Sequence, residues 1–80
     1  MEKLTVVQQE YLRNAQRAIK VADSVKFNRV AYEYQSKSAQ GYWAMFLKSS
    51  ANPRFQDNVN RMRDLLNSGN VTEALTLTSI

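Results

Sequence analysis

The side chains of this chain that could do chemistry are cationic and aromatic, and both kinds favour binding over catalysis. Arg13, Arg17 and Lys20 recur at spacings of four and three residues, so on a helix they form one row along one face. Such a row could follow a phosphate backbone or dock on an acidic protein surface. The ordinary alternative is a solvated helix face that has no partner.

The second group is a set of aromatic side chains in the middle of the chain. On a helix Tyr42 and Phe46 share a face, whereas Trp43 points about 100° away. A domain of this size cannot bury all of them, so at least one of Tyr32, Tyr42 and Trp43 should be partly exposed. Tyrosine and tryptophan are enriched in interface hot spots. The alternative is that Trp43 and Phe46 form the core, and both interpretations can hold if Phe46 lies inside and a tyrosine outside.

Enzymatic chemistry has little support in the composition. The sequence contains no histidine and no cysteine, which removes the side chains most used for proton transfer near neutral pH, thiolate attack and zinc binding. Its carboxylates are scattered, and its two glycines cannot form a glycine-rich phosphate loop. Lys48, Arg54, Arg61 and Arg63 alternate with acidic residues and suggest only a salt-bridged surface. We therefore expect no enzyme, no metal and no cofactor.

Length and charge point to one small basic domain over residues 1–80. The 44% hydrophobic content is typical of a globular protein, and the net charge of +4 favours acidic partners. A chain this short has a thin stability margin, for which self-association or folding against a partner is a common remedy.

The N-terminus shows no signal-peptide pattern, and the longest apolar run, Tyr42 to Leu47, is far below the ~20 residues that span a bilayer. We expect a cytoplasmic protein without membrane insertion.

The N-terminal segment is predicted to form an amphipathic helix that begins at Val6. Thr5 and Gln8 match the capping box, in which each side chain binds a main-chain N–H of the other residue. Apolar residues then recur every three or four positions in a narrow, alanine-rich stripe that permits close approach of another helix. The stripe consists of Leu4, Val7, Tyr11, Ala15, Ala18, Ala22 and Val25.

The middle of the chain is harder to divide, because no glycine or proline occurs before Gly41. Asp23-Ser24 could cap a second helix, or the first helix could continue into the thirties. Residues 30–34 fit both a helical and a strand pattern, and we favour helix because the flanks lack turn residues. We expect an interruption within Ser36–Gly41, followed by a helix from about Ser38 to Ser49.

The C-terminal third predicts a helical hairpin over residues 53–78. Asn52 is a favourable N-cap before Pro53 at the first helical position. One clean apolar face follows, made of Phe55, Val59, Met62 and Leu66. Gly69 suits the left-handed position after this helix, and Asn70 with Glu73 can cap a short last one. The fold class is therefore all-α, a small bundle of three to four helices.

In length, charge and lack of a membrane segment, the whole chain resembles small cytoplasmic regulatory proteins of T-even-type bacteriophages. Among these it is similar to the cytoplasmic antiholins, the rapid-lysis-inhibition protein III family. The resemblance implies binding to the cytoplasmic part of a holin, which delays lysis, and it carries no site residue onto this chain. Anti-restriction, anti-CRISPR and toxin-inhibitor proteins of similar size fit the same physics.

These patterns lead to a first hypothesis of a protein-binding regulator, anchored by exposed aromatics and steered by the basic row. Its candidate binding residues are Tyr32, Tyr42, Trp43, Arg13, Arg17 and Lys20. The second hypothesis is a small nucleic-acid-binding protein that uses the basic row. A third is a homo-oligomer paired through the alanine stripe.

Overall fold

Four α-helices form the fold in the computed structural model, which describes residues 4–79. They are α1 (Val6–Ser24), α2 (Arg29–Ser49), α3 (Phe55–Asn67) and α4 (Val71–Leu77). α1 packs most extensively on α2, α2 on α3, α3 on α4, and α4 returns to α1. The predicted all-α bundle is thus confirmed, with α3 and α4 as its C-terminal hairpin.

α1 begins as the sequence predicts. The Thr5 hydroxyl accepts a hydrogen bond from the Gln8 main-chain N–H at 3.1 Å, and Gln8 Oε1 accepts one from the Thr5 N–H at 2.9 Å. The helix ends at Ser24, and the cap of α2 is Asn28, whose Oδ1 accepts from the Ala31 N–H at 3.1 Å. Neither a cap at Asp23-Ser24 nor a continuous first helix is therefore observed.

α2 runs without a break through Ser36–Gly41, so the predicted interruption there is wrong. Tertiary packing explains why α2 is continuous. The small side chains of Ser36 and Ala39 are buried, and they allow α2 to lie close to its neighbours. The Ser36 hydroxyl accepts a hydrogen bond from Gln40 Nε2 at 3.2 Å, one turn along the helix. Packing of this kind outweighs the low helix propensity of Gly41. The preference for helix over strand at residues 30–34 is confirmed.

The connection from α2 to α3 is a Schellman motif built on an alanine. The N–H of Asn52 donates to the Leu47 carbonyl at 3.1 Å, and the N–H of Ala51 donates to the Lys48 carbonyl at 3.2 Å. Ala51 adopts the left-handed conformation that this motif requires, with φ of 51°. No sequence pattern pointed to this role, because glycine is the residue expected there.

α3 begins two residues later than predicted. Asn52 Oδ1 accepts from the Arg54 N–H at 2.8 Å, and the Phe55 N–H donates to the Asn52 carbonyl at 3.1 Å. Asn52 therefore closes a turn that contains Pro53, and does not cap the helix. Arg54 holds the N-cap position without a side-chain hydrogen bond.

The α3–α4 turn confirms the role predicted for Gly69, which adopts φ of 79°. The Asn70 N–H donates to the Leu65 carbonyl at 2.8 Å and the Gly69 N–H to the Leu66 carbonyl at 3.2 Å, which makes a second Schellman motif. The capping box predicted for Asn70 and Glu73 does not form: the Asn70 side chain makes no capping hydrogen bond to α4, and its amide Nδ2 donates to the Ser68 hydroxyl at 3.0 Å.

One apolar core draws on all four helices. The alanine stripe of α1 is buried at Ala15, Ala18 and Ala22, as predicted, whereas Val7 is exposed because it lies on the outer side of the first turn. The buried cluster comprises Ala15, Ala18, Ile19, Ala39, Trp43, Phe46, Leu47, Met62, Leu66, Val71 and Ala74.

Candidate functional site

Trp43 belongs to the core, so it is not the exposed anchor that one of our two interpretations required. Only 3% of its surface is accessible. Its indole N–H donates to the Asn58 carbonyl on α3 at 3.2 Å, and its ring stacks on Phe46 with the centroids 5.6 Å apart. The apolar ring is buried and its N–H group is hydrogen-bonded, so Trp43 joins α2 to α3. Trp43 is therefore not available at the surface as a binding residue.

Tyr32 is half-buried and also links α2 to α3. Its hydroxyl donates to the Leu66 carbonyl at 2.5 Å, at the end of α3. Burial raises the pKa of Tyr32 above its ordinary value of 10.0, and the negative charge of Asp23 acts in the same direction. Its ring remains accessible from the cleft described below.

Tyr42 is exposed, which confirms that at least one of the three aromatic candidates lies at the surface. Arg13, Arg17 and Lys20 are all exposed on α1, on the side opposite its buried alanine stripe. Exposure suits both a solvated face and a docking face, so the role of this row stays a prediction.

An unpredicted apolar surface lies along the outer side of α2. Val30 is 78% exposed, Tyr34 68% and Met45 50%, and helix geometry places the three within about 60° of one another around the axis. Gly41 lies between Tyr34 and Met45, and nothing approaches within 4 Å of the position its Cβ would take. We call Val30, Tyr34, Gly41 and Met45 the outward strip.

A cleft of about 590 Å³ borders the outward strip, between the α1–α2 turn, the first half of α2 and the end of α3. Phe27, which is fully exposed, lies at this cleft. Lys37 lines the cleft and lies one helical turn from Tyr34, so the two surfaces meet along α2. We call it the cationic cleft because its charged lining residues are Lys26, Arg29, Lys37, Arg63 and Glu33.

The cationic cleft carries an excess of positive charge that internal ion pairs do not remove. Arg29 Nε lies 3.5 Å from Glu33 Oε1, and Arg63 Nη2 lies 3.5 Å from Asp64 Oδ1, but all four side chains are largely exposed. Within residues 4–79, neither Lys26 nor Lys37 has a carboxylate oxygen within 4.0 Å. Exposed pairs of this kind are weak, so the cations remain available to an anionic partner.

Both surfaces escaped the sequence analysis for reasons that can be named. The outward strip requires an unbroken α2, and we expected a break within Ser36–Gly41. The cationic cleft joins residues 26–40 to residues 63–67, and Arg63 had been assigned to a balanced, salt-bridged surface. A signal for the strip did exist, since Val30 and Tyr34 are four residues apart and share a helix face.

Neither a metal centre nor a membrane span is indicated in the part of the chain that the structure describes. No three acidic side chains within residues 4–79 come together as potential ligands. None of the four helices is both long and apolar enough to cross a bilayer.

Comparison of the chain with protein-family models, with curated proteins and with solved structures found no match.

Proposed function

We propose that this chain is a non-enzymatic, protein-binding regulator that binds an acidic partner through the outward strip of α2. The observation that carries the proposal is the exposure of Val30, Tyr34 and Met45 on one helix face beside a cationic cleft. Large apolar side chains grouped at a surface mark interaction sites. Because the flank of this group is positive and the whole chain carries +4, an acidic protein is the complementary partner.

The proposal replaces Trp43 with Tyr34 as the central aromatic anchor. Tyrosine suits this position because its ring gives a large apolar contact area and loses little conformational freedom on binding. Val30 and Met45 extend the contact along α2, and Tyr42, three residues before Met45, lies at the edge of the strip. Arg13, Arg17 and Lys20 contribute long-range attraction to an acidic partner, which raises the association rate.

Two valines offer a matched test of the outward strip. Val30 and Val6 are 78% and 73% exposed, and each lies in the first turn of a long helix, but only Val30 belongs to the strip. The tagged chain and its Val30→Glu and Val6→Glu variants are used to capture partners from a cell extract with and without nuclease treatment, and the retained proteins are identified by mass spectrometry. We expect one protein to be retained by the wild type and by Val6→Glu, and lost with Val30→Glu.

Circular dichroism is used to check that both variants keep their helices. If they do, loss of capture means that the contact between the strip and the partner is lost. Equal retention by Val30→Glu and the wild type would rule out the strip as the binding surface. Retention that disappears with nuclease treatment would favour the second candidate function.

That second candidate is nucleic-acid binding by the row Arg13, Arg17 and Lys20. It is favoured by the exposure of all three side chains, none of which has a carboxylate oxygen within 4.0 Å among the described residues. Phosphate contacts release counterions, so binding should weaken steeply with salt, and Arg17→Glu should weaken binding to any sequence. Gel-shift measurements at several salt concentrations would decide between the two functions.

The resemblance to bacteriophage antiholins supplies a specific partner to test in the cytoplasmic setting we propose for the chain. That partner is the cytoplasmic part of a holin, and binding would delay lysis. Binding of the purified holin segment, weakened by Val30→Glu and not by Val6→Glu, would support lysis regulation. Sedimentation at several concentrations separately tests whether a second copy of the chain covers the strip or the alanine stripe.

A further inference from the structure

We propose that the cationic cleft receives carboxylates of an acidic amphipathic helix in the partner, while the apolar side of that helix covers the outward strip. This inference rests on the proposed function, because it identifies the kind of segment that the same surface would bind. It assigns the cleft a role in selecting the partner by charge.

The charge of the cleft indicates an anionic occupant. Lys26, Arg29, Lys37 and Arg63 come from the α1–α2 turn, α2 and α3, and Glu33 is the single carboxylate that lines the cleft beside them. Glu33 and Asp64 pair with Arg29 and Arg63, so among the described residues Lys26 and Lys37 are the cleft cations without an ion pair, and one anionic side chain would balance only one of them. Two or more carboxylates on one partner segment would balance both, and they would also discriminate against basic partners.

The shape of the surface indicates that the segment is helical. The outward strip runs from Val30 to Met45, a rise of about 22 Å along α2, which is the length of roughly four turns of a partner helix. Helices pack with their axes about 8–10 Å apart, and the absence of a side chain at Gly41 permits a close approach near the centre of the strip. Recognition of this type uses apolar anchors at three- and four-residue spacings.

The two surfaces adjoin in the way that an amphipathic helix requires. Tyr34 on the strip and Lys37 on the cleft are three residues apart, so they are neighbours on the surface of α2. A helix lying on the strip therefore has one flank beside the cleft. Acidic residues on that flank would approach Arg63 from the open side of the cleft, where half of the Arg63 side chain is exposed.

The probe is a fluorescein-labelled model peptide of about 18 residues, long enough for five helical turns. It carries leucines on one helix face and glutamates on the flanks, and a matched peptide has glutamine in place of every glutamate. Fluorescence anisotropy measures binding to the full chain at low and high salt. We expect the glutamate peptide to bind about tenfold more tightly than the glutamine peptide at low salt, and the difference to shrink at high salt.

Two arginines of α3 provide the matched variants. Arg63 lines the cleft, whereas Arg61 is exposed outside it, and Arg63→Glu and Arg61→Glu change the net charge equally. We expect Arg63→Glu to weaken binding of the glutamate peptide about tenfold and to leave the glutamine peptide unaffected. Arg61→Glu should change both by less than about threefold, as a distant and screened charge does.

Three results would overturn the inference. They are equal binding of the two peptides, equal weakening by Arg61→Glu and Arg63→Glu, and no binding of the glutamate peptide. None of these decides the proposed function, which is tested by the effect of Val30→Glu on capture of the natural partner.

Discussion

Ala51 and Gly69 occupy the same position in two copies of one helix-terminating motif. Each follows the last residues of a helix, each has a positive φ, 51° for Ala51 and 79° for Gly69, and each donates its N–H across the turn. The left-handed conformation costs a residue with a Cβ about 1–2 kcal/mol, whereas glycine adopts it freely. The end of α2 therefore contains strain that the end of α3 does not.

Exchanging the two residue types should have opposite effects on stability. We expect Gly69→Ala to lower the free energy of unfolding by about 1 kcal/mol, and Ala51→Gly to raise it by about 0.5–1 kcal/mol. Steric clash does not cause the first effect, because a Cβ at Gly69 would meet only Lys26 Cε at 3.9 Å. Urea denaturation followed by circular dichroism measures both changes, and two changes of the same sign would contradict this account.

Gly41→Ala should stabilise the protein, although Gly69→Ala should not. Gly41 lies inside α2, and an added Cβ would meet nothing within 4 Å. Alanine loses less backbone freedom in a helix, so we expect a gain of about 0.5–1 kcal/mol and a rise in Tm of several degrees. Thermal unfolding measures the shift. A lower Tm would mean that α2 is broken near Gly41.

The hydrogen bond from Tyr32 to the Leu66 carbonyl predicts a specific pH dependence. Tyr32→Phe should lower the free energy of unfolding by about 1 kcal/mol near neutral pH. The pKa of Tyr32 is raised in the folded state, so its contribution is fully present below pH 10.0 and is lost as the pH rises through the folded pKa. The difference between the wild type and Tyr32→Phe should therefore stay constant up to about pH 10 and shrink above it.

Urea titrations of both proteins at pH values from 7 to about 11 provide the comparison. A difference in stability that does not change over this range would show that Tyr32 does not titrate with a raised pKa. The remaining titrating groups are common to the two proteins, so their effects cancel to first order.

Trp43 should be needed for folding and not directly for binding. Trp43→Ala removes a buried ring and should lower the free energy of unfolding by about 3–5 kcal/mol, a large part of the total for a domain of this size. Trp43→Phe keeps an aromatic ring beside Phe46 and should cost less. Helical circular dichroism and urea denaturation measure both variants, and a stable Trp43→Ala protein that fails only in binding would restore the exposed-anchor interpretation.

The parts of the fold that the sequence predicts are those whose partners lie a few residues apart. The Thr5–Gln8 capping box and the left-handed Gly69 depend on local hydrogen bonds and local backbone freedom, and both were correctly anticipated. The alanine stripe was also correct at Ala15, Ala18 and Ala22, since a three- and four-residue period is a property of one helix.

The errors arise where distant parts of the chain decide the outcome. Ser36 and Ala39 are buried, and this burial against other helices, which the local sequence does not show, keeps α2 continuous through Gly41. Asn52 could cap a helix or close a turn. The chain direction between α2 and α3 decides in favour of the turn, and the local sequence does not specify that direction. The cationic cleft depends on Arg63 and Lys37 lining the same cleft, an arrangement of sequence-distant residues that composition and periodicity do not encode.

The outward strip has a consequence for oxidation chemistry. Met45 is half exposed within the strip, whereas Met62 is fully buried in the core. A mild oxidant should therefore convert the Met45 thioether to a sulfoxide well before it reaches Met62, and the new polar oxygen would lie at one end of the apolar strip. If the outward strip binds a partner as we propose, that binding would weaken under oxidative stress while the fold remained intact, and methionine sulfoxide reductases could restore it.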